Sequence, residues 1–130
     1  MIVGLGESTH GAHEQFTLKH RIVRLLVEQL GFRSVAMEED WATGIQLNRY
    51  VLTGQGDPTE LVKGMGAPWS TGEVQAVLEW LRAWNTRHRD KVQFVGTTSS
   101  TPAPGSTTRS PATSSRPPPS GWRTWRSISR

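Results

Sequence analysis

The fold class of this chain is decided by residues 16–37, which read FTLKHRIVRLLVEQLGFRSVAM. Apolar residues recur there at the three- and four-residue spacing of one helix face, which predicts a helix from about Ala12 to Leu30. Gly31 is a natural left-handed end for that helix, and Phe32 can fold back on its last turn. The short apolar run Ser34–Met37 then predicts a buried strand. A long helix that leads directly into such a strand is typical of α/β proteins.

Two further strands and three further helices are predicted around this unit. The strands are Met1–Gly6 and Lys91–Val95, the second ended by Gly96, and the helices begin at Asp40, at Asp57 and at Ser70 or Thr71 and end near Leu52, Gly64 and Arg89. Strands separated by helices predict parallel pairing through right-handed crossovers. The sequence therefore predicts an α/β fold with a partial parallel sheet of about three strands.

The chain changes composition near Gly96. All 11 Asp and Glu residues lie in residues 1–96, whereas the last 34 residues carry arginine as their only charged residue and are rich in Ser, Thr and Pro. A segment with few apolar residues and unopposed charge cannot bury enough surface to offset the loss of chain entropy. Residues 1–96 are thus predicted to be the folded domain. Residues 97–130 are predicted to be a disordered tail, and the abrupt change suggests an out-of-frame coding segment.

Composition also argues against several classes of protein. The chain has no cysteine, so it has no disulfide framework, no thiolate nucleophile and no cysteine-ligated metal. No apolar run approaches the roughly 18 residues of a membrane-spanning helix, and the first residues lack the basic region of a secretory signal. The domain is slightly acidic, which disfavours nucleic-acid binding. We therefore expect a cytoplasmic protein that binds neither nucleic acid nor membranes.

Polar residues follow the first two predicted strands. Glu7 comes directly after the first strand and Glu38 after the second, and His10 and His13 lie between the first strand and its helix, next to Glu14. Ligands of open α/β sheets bind beyond the carboxyl ends of the strands, so we expect these groups to converge there. A histidine oriented by a carboxylate is suited to act as a general base that activates water.

Two other interpretations of this cluster remain open. Acids near the start of a helix also stabilise its dipole, and turn histidines are often ordinary polar residues. Histidines and carboxylates are ligands of zinc and manganese as well. The spacing of residues 10–14 matches neither H-E-x-x-H nor H-x-x-E-H, so the sequence predicts no metal ligand and no cofactor, with a metal-dependent enzyme as the alternative.

The remaining histidines and tryptophans receive mostly structural interpretations. We expect His20 on a solvated or partner-facing side of the first long helix, and His88 on the surface at the end of the last helix, where it complements the dipole. Trp80 and Trp84 are expected to pack in the interior. Trp69, in a Pro-Trp loop, is a better candidate for an aromatic residue that faces a substrate.

Several of these motifs resemble, in order, the opening of erythromycin esterase-like proteins. The matching stretches are Gly6–Glu14, Lys19–Arg21, Leu26–Arg33, Ala36–Glu38, Asn48–Val51, Gly56–Pro58, Trp69–Thr71, Glu73–Val74 and Glu79–Arg82. The resemblance covers residues 1–96. It implies an α/β enzyme, unrelated to the serine α/β-hydrolases, that opens the lactone ring of macrolide antibiotics with water and so confers resistance to them.

The resemblance also implies roles for individual residues. His10 is the implied general base, and Glu7 and Glu38 orient and polarise the site. The residues expected to contact a small-molecule ester or lactone are His13, Glu14, Lys19 and Trp69. Many family members have arginine where this chain has Lys19, and lysine keeps the charge without the bidentate fork of a guanidinium.

Members of this family are much longer and complete the site with later histidines. No residue of this chain corresponds to those histidines, so the resemblance implies an incomplete site that is weakly active or inactive. Two alternatives stay open: a metal-dependent hydrolase that uses the same histidines and carboxylates, and a non-enzymatic fragment whose last strand leaves an uncovered edge. The sequence does not predict an oligomeric state.

Overall fold

A computed structural model of the chain describes residues 1–98. The predicted tail therefore lies, from residue 99 onward, outside the described residues. The elements run in the order α1 His13–Leu30, β1 Ser34–Asp40, α2 Trp41–Thr53, α3 Pro58–Lys63, α4 Gly72–Arg87 and β2 Gln93–Thr98. The predicted α/β class is confirmed. Within the described range, no helix is both long enough and apolar enough to span a membrane.

The helix boundaries follow from short-range capping. The Asp40 carboxylate accepts hydrogen bonds from the amides of Ala42 and Thr43, and Asp57 caps α3 in the same way. Thr71, not Ser70, caps α4 by accepting from the Val74 amide. Gly31 and Gly54 end α1 and α2 with φ of 72° and 79°, a conformation that glycine adopts at no steric cost. These signals involve neighbouring residues, and the predicted helices are accordingly confirmed.

The sheet has two strands within residues 1–98 instead of the predicted three. The strands β1 and β2 pair in parallel, with Ser34 opposite Gln93 and Met37 opposite Gly96. The segment Met1–Gly6 is not a strand, and its Ile2 side chain is 96% exposed. A short apolar run becomes a strand only when another backbone pairs with it, and Met1–Gly6 pairs with neither β1 nor β2.

The second strand also differs from its prediction. It covers Gln93–Thr98 and passes through Gly96 instead of ending there. A Cβ atom at position 96 would lie 2.6 Å from the Asp40 carbonyl oxygen, so glycine here permits close approach to β1 and does not stop the strand. Beside it, the Phe94 amide donates a hydrogen bond of 2.9 Å to Asn48 Oδ1 on α2. Helix α2 therefore covers part of the edge that was expected to be open.

The core lies where α2 and α4 pack together and α2 packs against β2. Its buried apolar residues are Phe16, Val27, Leu47, Tyr50, Val51, Val62, Met65, Val74, Leu78, Leu81, Val92 and Phe94. Trp80 and Trp84 pack against this core as half-buried residues, as predicted. This packing fixes α1 and α4 beside β1, and the candidate site lies between them.

We expect Gly44→Ala to destabilise the domain by about 1–2 kcal/mol through overpacking. A Cβ at position 44 would lie 2.5 Å from the Gly96 amide nitrogen, so α2 must move away from β2. Without this clash the same change would stabilise the helix by up to about 1 kcal/mol. Urea unfolding measures the difference, with Gly72→Ala as the control because a Cβ there meets no atom within 4 Å. A Gly44→Ala domain as stable as the wild type would refute the close approach.

Candidate functional site

Two adjoining cavities lie beside β1, the first along residues 35–38 of the strand and the second at its carboxyl end. The first cavity, of about 330 Å³, is lined by the N-terminal segment, α1, β1, the loop before α4, α4 and β2. Most of its lining is apolar, from residues that include Phe16, Val23, Val35, Met37, Val74, Val77, Leu78 and Phe94. We call it the apolar cavity. Its neighbour, of about 410 Å³, shares His10, Glu38 and Trp69 with it.

Glu7 is the centre of a three-residue hydrogen-bond network at the apolar cavity. One carboxylate oxygen pairs with His10 Nδ1, and the other accepts a hydrogen bond from Lys19 Nζ. The hydrogen bond from Lys19 holds the pKa of Glu7 below its ordinary value against the opposing effect of burial, and His10 lowers it further. Glu7 is therefore ionised at neutral pH. Its side chain is 12% exposed, whereas that of His10 is 67% exposed.

The pairing with Glu7 determines which nitrogen of His10 is available. An ionised carboxylate only accepts hydrogen bonds, so Nδ1 carries the hydrogen and Nε2 of the neutral ring keeps its lone pair. The Trp69 ring meets the imidazole edge-on, with ring centroids 6.0 Å apart, and Phe16 meets Trp69 in the same way at 5.8 Å. Nδ1 of the imidazole is thus bound to Glu7, the ring contacts Trp69, and Nε2 keeps a lone pair that can accept a proton.

Glu38 lies within β1, two residues before the strand ends and not after it as predicted, and it lines both cavities. Its side chain is exposed, and it makes no hydrogen bond or ion pair with any other residue in the range 1–98. The following residue, Glu39, is buried and accepts a hydrogen bond of 2.8 Å from the Asp40 amide. The Glu38 carboxylate therefore faces solvent beside His10, whereas that of Glu39 does not.

His13 and Glu14 lie outside the lining of both cavities. His13 Nδ1 instead contacts Glu73 Oε1 at 2.5 Å, which links the first turns of α1 and α4. The structure thus brings Glu7, His10, Lys19, Glu38 and Trp69 together and leaves the other two predicted residues aside. Glu73 does line the apolar cavity, and its position in the first turn of α4 gave no signal of that role.

His20 lies in a different environment from the predicted one, whereas His88 lies at the end of α4 as predicted but is half-buried instead of exposed. His20 lines the apolar cavity, where burial lowers its pKa. His88 is half-buried and stacks on Trp84 with centroids 3.6 Å apart and planes 8° from parallel. The spacing of His20 from the buried Phe16 and Val27 places it on the same face of α1. That periodicity was the signal that could have located His20.

We expect the His13–Glu73 ion pair to stabilise the fold most between about pH 4.5 and 6.5. Glu73 raises the pKa of His13 above its ordinary value of 6.5, and His13 lowers the pKa of Glu73 below its ordinary value of 4.5. The contribution of His13 is complete below 6.5 and is lost as the pH rises through its raised pKa. The contribution of Glu73 is complete above 4.5 and is lost as the pH falls through its lowered pKa.

Thermal unfolding of the wild type and of His13→Gln over a pH series measures this contribution. The difference in unfolding temperature should be largest in that window and should shrink toward about pH 9. Glu73→Gln should also destabilise the fold most in that window, and by more than His13→Gln, because it additionally removes the hydrogen bonds that Glu73 accepts from its own amide and from Thr71. A constant difference across the series would mean that the pair does not titrate as described.

The residues around the cavities do not form a ready metal centre. Among residues 1–98, no group of three or more histidine, aspartate and glutamate side chains is arranged to hold a metal ion. His10 and Glu7 are already bound to each other, and Glu7 also holds Lys19. The arrangement as it stands is an imidazole, the carboxylate that binds its Nδ1 and a neighbouring lysine.

Similar proteins have the same segment within much longer chains. Erythromycin esterase type II of Escherichia coli is 33% identical over 95 residues, which are 73% of this chain and 22% of that protein. Among solved structures, a succinoglycan biosynthesis protein is 44% identical with a TM-score of 0.65 over 71% of this chain, and a Bacillus cereus protein is 44% identical with a TM-score of 0.64 over 70%. This chain spans only about a fifth of the length of each.

The profile of the erythromycin esterase family matches residues 27–102. That range includes Glu38 and Trp69 and begins after Glu7, His10 and Lys19. It covers more than half of the 130 residues, and the helices and strands within it have the order and caps described above. This chain belongs to the erythromycin esterase family.

Proposed function

We propose that this chain carries an ester-hydrolysing site in which His10 activates water against a small-molecule ester or lactone. The observation that carries the proposal is the binding of His10 Nδ1 by the ionised Glu7 at the apolar cavity. It leaves Nε2 as the only ring nitrogen able to take a proton. The exposed position of the imidazole allows water to reach that nitrogen.

The proposed reaction has two proton transfers. Water gives a proton to His10 Nε2 while its oxygen attacks the ester carbonyl carbon, and the Glu7 carboxylate stabilises the imidazolium that forms. The tetrahedral intermediate then breaks its bond to the alcohol oxygen, which takes the proton back from Nε2. The products are a carboxylic acid and an alcohol, or one hydroxy acid when the substrate is a lactone.

Neighbouring groups receive supporting roles. Glu38, beside His10, orients the attacking water by accepting its second hydrogen bond. Lys19 keeps Glu7 ionised and places a positive charge near the anion that develops at the carbonyl oxygen. Trp69 and the apolar lining receive the hydrocarbon part of the substrate.

The proposed substrate is a macrolide lactone in the cytoplasm, with antibiotic resistance as the consequence. The support is the name of the Escherichia coli relative, an erythromycin esterase, together with membership of that family. Because the chain spans about a fifth of that relative, we propose that it hydrolyses erythromycin more slowly alone than when joined to the remainder of the relative's sequence.

The experiment incubates erythromycin with the 130-residue chain and with a chimera in which residues 1–98 replace the matching segment of the relative. Mass spectrometry detects hydrolysis as the gain of one water. Conversion that is faster in the chimera and insensitive to a chelator supports the proposal. Conversion abolished by a chelator favours the metal-dependent alternative, and no conversion of erythromycin or of a simple nitrophenyl ester by either protein favours the non-enzymatic one.

A further inference from the structure

His20 is a polar residue within the apolar wall between α1 and α4. It follows the buried Phe16 by one turn of α1 and lines the same cavity as Val23 and Leu78. The ring of Trp80 on α4 meets the imidazole edge-on with centroids 6.1 Å apart. The imidazole is therefore half-buried between α1 and α4 and lines the cavity.

The Nε2 atom of His20 is buried and has no hydrogen-bond partner in the described part of the chain. Leaving such an atom unpaired costs free energy, because it gives up its hydrogen bond to water and gains none in return. Burial lowers the pKa of His20, and Arg24 lowers it further. The imidazole is consequently neutral at pH 7, with one nitrogen that donates and one that accepts.

Packing alone does not account for this residue. A leucine would fill a comparable space against Val23, Leu78 and Trp80 without an unpaired nitrogen. None of the other polar side chains that line this cavity, Glu7, His10, Lys19, Glu38 and Glu73, forms a hydrogen bond with Nε2. Because Nε2 has almost no accessible surface, a ligand oxygen in the cavity reaches this nitrogen only after the imidazole ring turns toward it.

We propose that His20 is a substrate-binding residue whose imidazole hydrogen-bonds an oxygen atom on the apolar part of the ligand. The proposal rests on the proposed function for the identity of the cavity, but binding itself requires no hydrolysis. Phe16, which contacts Trp69 beside His10, precedes His20 by one helical turn, or about 6 Å along the axis. The ligand class is therefore an ester with a mainly hydrocarbon body and a hydroxyl or carbonyl oxygen some distance from the ester group.

Matched pairs of small esters test this proposal on the full 130-residue chain. The probes are methyl butanoate and methyl hexanoate, each beside its counterpart with a terminal hydroxyl group, and NMR titration gives the dissociation constants. The wild type should bind the better-fitting hydroxy ester about tenfold more tightly than its unsubstituted partner. The signal of His20 Nε2 should shift with the hydroxy ester.

Three variants separate a binding role from a structural one. His20→Leu should lose the preference for the hydroxy ester, and His20→Gln, which keeps a hydrogen-bonding group, should retain part of it. His88→Leu is the control, because His88 is also half-buried beside a tryptophan of α4 but lies outside the cavity lining. Thermal unfolding of each variant checks that the fold is kept.

Three outcomes would overturn the proposal: the same preference in His20→Leu and the wild type, a His20 signal that no probe moves, or no binding by any of the four esters. If His20→Leu does not fold, the Nε2 signal of the wild type and the His20→Gln titration still decide. Repeating the titration in His10→Ala distinguishes the two proposals. If His10→Ala loses hydrolysis but keeps the preference for the hydroxy ester, both proposals are supported. If hydrolysis persists in His10→Ala, only the proposed role of His10 is contradicted.

Discussion

Replacing His10 by alanine is expected to lower the rate of ester hydrolysis by about 10²–10⁴-fold, the usual contribution of a general base. The imidazole is the group that takes the proton from water, and Glu7 is already occupied by His10 and Lys19. Lys19 does not replace it, because Lys19 Nζ is a hydrogen-bond donor to Glu7. The measurement is the initial rate of erythromycin or nitrophenyl ester hydrolysis at saturating substrate.

Glu7→Gln provides a companion to this variant. Glutamine keeps the size of the side chain but loses the charge that stabilises the imidazolium, so the rate should fall as well, and by less than in His10→Ala. His88→Ala serves as the control because His88 lies outside both cavities. Hydrolysis that is unchanged in His10→Ala would remove this residue from the mechanism, whatever the substrate.

Asn85→Ala is expected to destabilise the domain by about 3 kcal/mol or more, since each buried polar group left unpaired costs about 1–3 kcal/mol. The Asn85 side chain donates to the carbonyl oxygens of Val51 and Val92 at 3.0 and 2.8 Å, and its Oδ1 accepts from the Val92 amide at 2.7 Å. Asn85 is 1% exposed. One side chain thus satisfies three buried backbone groups and joins α4 to the end of α2 and the start of β2.

Urea unfolding measures this effect, with Thr86→Ala as the matched control on the same helix. The Thr86 hydroxyl is exposed and bonds only to the Arg82 carbonyl of its own helix, so its removal should change the free energy of unfolding by about 0.5 kcal/mol or less. Similar unfolding midpoints for the two variants would show that water or a shift of the chain satisfies the three backbone groups.

The non-enzymatic interpretation has a structural basis in the strand edges. Asn48 covers the outer edge of β2 at Phe94, whereas no strand within residues 1–98 pairs with the outer edge of β1. Several apolar side chains are also exposed: Leu18, Leu25 and Leu30 on α1, and Trp41 and Ile45 on α2. The erythromycin and nitrophenyl ester assays decide between this interpretation and catalysis.

The sequence by itself determined the helices, their caps and the α/β class. Asp40, Asp57, Gly31 and Gly54 act on backbone groups a few residues away, so the neighbouring sequence contains the whole interaction. It also determined the family, because the motifs lie in order along the chain. The proximity of Glu7 and His10 was likewise predictable from the sequence, because the two residues are three positions apart in one turn.

Only the tertiary structure decided which residues meet across the chain. Strand pairing left Met1–Gly6 without a partner, and the position of α4 against α1 placed His13 against Glu73 and His20 against Trp80. These contacts join residues that are distant in sequence or depend on the rotation of one helix against another. Local propensity does not predict these contacts, because the packing of the elements determines which surfaces face each other. Burial and hydrogen bonding of each side chain follow from that packing.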